Sequence, residues 1–169
     1  MKRIILTVLL ICSTVASAQQ YLTREARLSF DAGSPLEDIE AFTESGSAVF
    51  DASSGKIGVQ VLMTSFQFKR ALMQEHFNEN YVESEKFPKA SFKGTYNEGK
   101  VTGELSIHGV TKEISVPATL REENENFVLT TAFDIILAEY NVEIPSAVAD
   151  KISKAASIQV QATLKSVGK

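Results

Sequence analysis

The chain holds one cysteine in 169 residues, Cys12. Beyond it there is no thiol, which excludes a disulfide framework, and with Cys12 read below as part of a cleaved leader a thiol nucleophile and a thiolate metal site are excluded as well. Long apolar runs are also lacking. The stretch Ile4 to Ile11, interrupted by Thr7, is well short of the roughly 20 residues that span a bilayer. Basic clusters are missing too. None is longer than a pair such as Lys69-Arg70, and 17 basic side chains face 21 acidic ones, so no cationic stripe exists to neutralise nucleic-acid phosphates. Histidine is limited to His76 and His108, at no metal-ligand spacing, and neither metal nor cofactor is expected. Repeats, low-complexity tracts and linkers are absent, which implies one domain.

What is present begins with an address. Lys2-Arg3 is followed by the short apolar stretch and by Ala16-Ser17-Ala18, the small-x-small pattern that signal peptidase accepts. Residues 1–18 are therefore read as a signal peptide and 19–169 as the domain. Export to the periplasm or the exterior follows. Ile11 before Cys12 is large and branched, which argues against a lipoprotein cysteine. An exported domain of about 150 residues without disulfides is large enough to be stabilised by one core.

The dominant signal in the domain is period-two alternation, with apolar residues on one face of each strand. Ile158, Val160, Ala162 and Leu164 alternate with polar neighbours, as do Ile114, Val116, Ala118 and Leu120. Phe127, Leu129, Thr131 and Phe133 follow the same rule, and so do Val101, Gly103, Leu105 and Ile107. Ala26, Leu28 and Phe30 form another set, with Ile57, Val59, Val61 and Met63, and Ala90, Phe92, Gly94 and Tyr96. Half-buried antiparallel strands of this kind build a sandwich or barrel. Turn chemistry at Ser53-Ser54-Gly55, Asn97-Glu98-Gly99 and Glu123-Asn124-Glu125-Asn126 predicts consecutive hairpins in up-and-down order. Pro117 lacks a ladder donor and belongs at an edge, a bulge or a non-bonded position.

Two segments break the alternation. Between Lys69 and Asn78 the apolar residues Leu72, Met73 and Phe77, with His76, fall at helical spacing. A second short helix is expected over Ser146 to Ser153, opened by Pro145 and a Ser146 cap.

Two stretches resemble the YceI-like family. Leu105-Ser106-Ile107-His108-Gly109-Val110-Thr111-Lys112-Glu113-Ile114 is similar to its L-x-I-x-G-V-T-K-x-V signature. Leu72-Met73-Gln74-Glu75-His76-Phe77, followed by Phe87-Pro88-Lys89-Ala90-Ser91-Phe92, is similar to the family segment in which a histidine near an apolar pair precedes F/Y-P-x-hydrophobic-x-F. The resemblance implies an all-β, lipocalin-like antiparallel barrel of about eight strands with one short helical insertion. It also implies export and an interior that holds a polyisoprenoid or similar long-chain lipid. The chain departs from the family at its start, where Tyr21-Leu22-Thr23-Arg24-Glu25-Ala26 replaces the frequent W-x-(I/L)-D-x-x-H-S opening. It is also shorter than many members, which implies a shallower cavity.

Alternation alone favours a barrel filled by its own side chains; the resemblance reverses that preference. The expected ligand-binding wall is Phe66, Phe68, Leu72, Met73, Phe77, Phe92, Leu105, Ile107, Phe133 and Ile135, with His76 at the mouth facing a head group. Burial of each methylene is worth roughly 0.8 kcal/mol, so a slim apolar chain needs no charged contact. His108 reads as a turn or strand-end residue, and Gly109-Val110-Thr111-Lys112 as a connector with a left-handed glycine. Gly109→Val is accordingly expected to harm folding more than His108→Ala. The expected partner is a long-chain apolar lipid. The oligomeric state stays open, a homodimer included. The readings from other classes are a filled-barrel interaction module and a small hydrolase or isomerase using carboxylates or His76. The leading reading is a carrier without catalytic residues.

Overall fold

Alternating side chains force alternate residues to opposite faces of a pleated strand, and the barrel is the solution that buries one face of each. In the computed structural model, which describes residues 19–167, the strands are β1 (Gln20–Gly33), β2 (Glu40–Asp51), β3 (Lys56–Leu62), β4 (Gln67–Phe68), β5 (Lys89–Asn97), β6 (Lys100–Ile107), β7 (Val110–Glu123), β8 (Asn126–Ile136) and β9 (Ile152–Ser166). The expected leader and Cys12 lie outside the described residues.

Among the described residues every ladder is antiparallel, and most run in chain order: β1 to β2, β2 to β3, past the short β4 from β3 to β5, and onward to β9. The pairing of β9 with β1 closes the ring. Eight strands thus form an up-and-down barrel, with the two-residue β4 added beside β2. The three expected hairpins are all present, and their central residues show why. Glu98 and Gly99 have φ +47° and +81°, and Asn124 and Glu125 have φ +50° and +63°, the twist that matches flanking strands. Pro117 opposes Lys100 in the last β6–β7 pair and precedes the first β7–β8 pair, Ala118 with Thr131. Its missing N–H therefore costs no ladder bond, and its carbonyl accepts the Thr131 hydroxyl at 2.7 Å.

Three local expectations need correction. The connector after β6 is only His108-Gly109, with φ +49° and +74°; Val110, Thr111 and Lys112 already belong to β7. A two-residue loop with both residues left-handed is the tightest antiparallel joint, so the strand resumes at once. The helix expected over 69–78 is α1 (Ala71–His76), continued by a π-helical turn, Phe77–Tyr81. The helix expected over Ser146 to Ser153 is a single 3₁₀ turn, Ser146–Val148, preceded by Pro145 without a side-chain cap bond, and Ile152 and Ser153 enter β9.

β1 and β2 hide a feature that alternation does not reveal. The pairs Thr23–Ala48, Ala26–Gly46 and Leu28–Thr43 show one extra residue in each strand. The inward face therefore switches from Tyr21 and Thr23 to Ala26 and Leu28, and from Ala41 and Thr43 to Gly46, Ala48 and Phe50. Bulges of this kind bend a strand and sharpen its twist. Gly46 is required there, because a Cβ would lie 2.2 Å from Leu28 Cδ1 and 2.9 Å from the Ala26 carbonyl.

Candidate functional site

The interior divides into two halves. Towards one end, where β1 and β8 begin, inward side chains are close-packed: Leu129, Ala162 and Leu164 are at most 2% exposed. Tyr21, Phe50 and Phe127 meet there, with ring centroids 4.6 Å apart for Tyr21–Phe127 and 5.1 Å for Phe50–Phe127, both edge-on. Towards the other end, inward residues such as Val59, Phe92, Val116, Phe133 and Ile158 stay partly exposed although they lie on the inner face of their strands. That exposure is to a hollow. A cavity of about 470 Å³ occupies this half and opens between α1, the β1–β2 loop and the segment before β9.

All the residues expected at the wall line this cavity: Phe66, Phe68, Leu72, Met73, His76, Phe77, Phe92, Leu105, Ile107, Phe133 and Ile135. Their positions differ. Leu105, Ile107, Phe92, Phe133 and Ile135 come from β6, β5 and β8 and form the fixed wall. Phe66, Phe68 and Phe77 build an aromatic collar with Phe30, whose ring stacks on Phe77 at 5.3 Å and meets Phe66 edge-on at 5.3 Å. Leu72, 63% exposed, touches the cavity only at its rim, where His76 is likewise exposed. The short helix is a cover with no buried residue of its own; the π turn brings Phe77 inward.

Other lining residues were not foreseen. Ile39 and Val142 come from irregular segments that carry no periodicity, and Val148 from the single 3₁₀ turn before β9. Arg70, Glu37 and Lys151 supply charge at the mouth. Arg70 forms an ion pair with Glu37 that ties the start of α1 to the β1–β2 loop. Beside it, Lys69 bridges Asp38 at 2.7 Å and Glu40 at 3.4 Å, and the Asp38 hydrogen bond is the main cause that holds its pKa above the ordinary lysine value. The Ser34 hydroxyl donates to the Asp150 carbonyl at 2.8 Å, drawing the third rim segment in. Deeper down, polar groups are few, and Thr131 has spent its hydroxyl proton on Pro117. An apolar chain meets mostly carbon on this wall, with the Ser29 and Ser91 hydroxyls among its few polar groups.

His108 lies outside the cavity wall and is more than a turn residue. Its side chain is 8% exposed. Nε2 meets Glu83 Oε2 at 2.9 Å and Nδ1 donates to the Tyr140 carbonyl at 3.1 Å, with the Phe87 ring edge-on at 4.7 Å. The ring thus pins the end of the helical cover and the 3₁₀ turn after β8 (Leu137–Tyr140) to the β6–β7 turn. Glu83 is held below the ordinary glutamate pKa, first by this hydrogen bond. Burial, and secondarily Glu139, raises the Tyr140 hydroxyl above the usual tyrosine range. Both ring nitrogens are committed to structural partners, which leaves His108 no free nitrogen for general-base work.

The geometry can be set beside known proteins. The YceI-like domain family model matches residues 23–164. A UPF0312 protein from Vibrio parahaemolyticus is 31% identical over 120 residues, 60% of this chain, and one from Photorhabdus laumondii is 32% identical over 90 residues, 48% of this chain. The matches span only 62% and 47% of those relatives' own lengths. Among solved structures, a polyisoprenoid-binding domain from Saccharophagus degradans aligns with TM-score 0.75 at 13% identity, covering 89% of this chain and 99% of that one. BcnA of Burkholderia cenocepacia aligns with TM-score 0.71 at 16% identity, covering 82% and 95%. At such identities the two structures attest the fold. The family match runs from β1 to the end of β9 and takes in both sequence motifs, and the chain belongs to the YceI-like family.

Proposed function

We propose that this protein is an exported carrier that sequesters a polyisoprenoid or other long-chain apolar ligand in its barrel, and that it has no catalytic role. The observation that carries the reading is the 470 Å³ cavity, walled by Phe, Leu, Ile and Val with charge only at the rim. Such a wall offers burial without direction, at roughly 25 cal/mol per Å² of apolar surface. The cavity counts against a barrel filled by its own side chains. The Saccharophagus domain, a polyisoprenoid-binding one by description, supports the same ligand class here. Export rests on Lys2-Arg3, the apolar stretch and Ala16-Ser17-Ala18, with residues 19–169 as the mature domain. In this reading the wall residues Phe66, Phe68, Phe77, Phe92, Leu105 and Phe133 contact the ligand, and His76 stands near its head group.

Native mass spectrometry of the purified protein, followed by lipid extraction, tests the proposal. An apolar chain that co-purifies and extracts is the expected result; a protein that neither carries nor takes up any long-chain lipid from a broad panel removes it. N-terminal sequencing of exported protein is expected to begin at Gln19. A start at Cys12 bearing acyl chains would mean a lipid anchor instead.

A further inference from the structure

We infer that Tyr21, Phe50 and Phe127 form a floor that limits the buried ligand chain to on the order of a dozen carbons; this rests on the lipid-carrying function proposed above. The floor lies opposite the mouth. Tyr21 and Phe127 begin β1 and β8, and Phe50 ends β2, whereas α1 and the rim loops connect the other strand ends. None of the three rings lines the cavity, yet each lies next to its deepest wall: Phe50 pairs with Ile57 across β2–β3, and Phe127 is two residues before Leu129. Phe127 meets Tyr21 and Phe50 edge-on at 4.6 and 5.1 Å, Tyr21 and Phe50 lie tilted at 6.5 Å, and Leu164, fully buried, backs Phe127 across the β8–β9 ladder. The hollow therefore has one open end.

The β8 wall gives its depth and so its capacity for an extended chain. From Leu129 to Ile135 the strand advances about 20 Å, or about 15 Å along the barrel axis at a tilt near 40°. An extended carbon chain rises about 1.25 Å per carbon, so this depth holds about a dozen carbons. Ligands with a farnesyl-length or medium acyl tail fit whole. A chain of about twice that length must leave its distal half outside the mouth, where Leu36 and Leu72 are the most exposed large apolar side chains among the described residues.

The test uses delipidated protein and straight-chain saturated fatty acids of about eight to about twenty-four carbons, since a constant head group makes the slope report burial alone. Kd is expected to tighten about fourfold per added methylene, and then to level off at about a dozen carbons. Phe127→Ala should move that break to longer chains. If it does not fold, Phe127→Leu opens the same space less. Val116→Phe, whose new ring enters at the level of Val101, should move the break to shorter chains. A wild-type Kd that keeps tightening beyond about twenty carbons, or a break that neither variant moves, overturns the floor and leaves the carrier reading standing. Failure of wild type to bind at any length overturns both.

Discussion

A left-handed backbone at a two-residue turn is ordinary, but a buried, doubly bonded imidazole there is not. His108 has φ +49°, and its ring spans Glu83 and the Tyr140 carbonyl. Its removal strands a buried carbonyl, at a cost of about 1–3 kcal/mol. Gly109 has φ +74°, and a Cβ there would lie 2.5 Å from the Phe87 ring, so Gly109→Val adds a clash to a backbone strain of about 1–3 kcal/mol. Both variants are therefore expected to melt well below wild type, and the contacts of His108 narrow the margin expected from sequence between Gly109→Val and His108→Ala. Equal melting temperatures for His108→Ala and wild type would show that the clamp bears no weight. The Glu83 carboxyl adds a pH dependence with a definite sign. Its folded pKa lies below the ordinary 4.5 because the charged form accepts from His108. The stabilisation is thus present above pH 4.5 and is lost as pH falls through the lower folded value. Thermal melts should show Glu83→Gln less stable than wild type just above pH 4.5, with the gap closing as the pH is lowered further. A gap that stays constant down to about pH 3 would exclude the titrating contact.

At the scale of elements, the cover matters most. The helix α1 buries nothing, whereas Phe77 in the π turn is buried against Phe30, Phe66 and Phe68. Phe77→Asp places a carboxylate in this collar, where an unpaired charge is costly. The barrel ladders do not pass through this segment, so the β spectrum should persist while lipid retention drops strongly. Circular dichroism beside lipid mass spectrometry decides; full retention by Phe77→Asp would remove the collar from the ligand path. The strands with unbroken alternation, such as Ile158 to Leu164 and Ile114 to Leu120, were legible because pleating enforces period two. The first two strands were only partly legible. Their bulges switch the inward parity near Glu25 and Ser45, and a one-residue shift sends the apolar set to the other face. Gly46 was the one local hint. The π turn left no signal either, since one added residue per turn is invisible in so short a helical pattern. The expected wall residues came from alternation joined to a family resemblance. Arg70–Glu37 and the segment 137–151 depend on tertiary closure of irregular chain, for which no period exists.

For the molecule as a whole, closure replaces covalent staples. The seam between the terminal strands is tied at its edge by Val167 N–H to the Gln20 carbonyl at 2.9 Å, and beside it Ala52 N–H to the Gln19 carbonyl at 3.1 Å ties β1 to the end of β2. Every strand of the ring therefore has two partners, and no edge can fray without opening the floor beneath the cavity. Such a ring should unfold as one cooperative unit. Leu164 tests this, because it is fully buried, lies in the seam strand β9 and pairs with Phe127 on the other side of that strand. Leu164→Ala removes three carbons at a site that the ring holds rigid, and such truncations cost about 2–5 kcal/mol. At about 2–4 °C per kcal/mol for a domain of this size, the melting temperature should fall by several degrees or more. Far-ultraviolet dichroism and tyrosine fluorescence should shift together, because Tyr21 at the floor and the ladders report the same transition. Two separated transitions, or a Leu164→Ala protein as stable as wild type, would mean that β9 is not the strand on which closure depends.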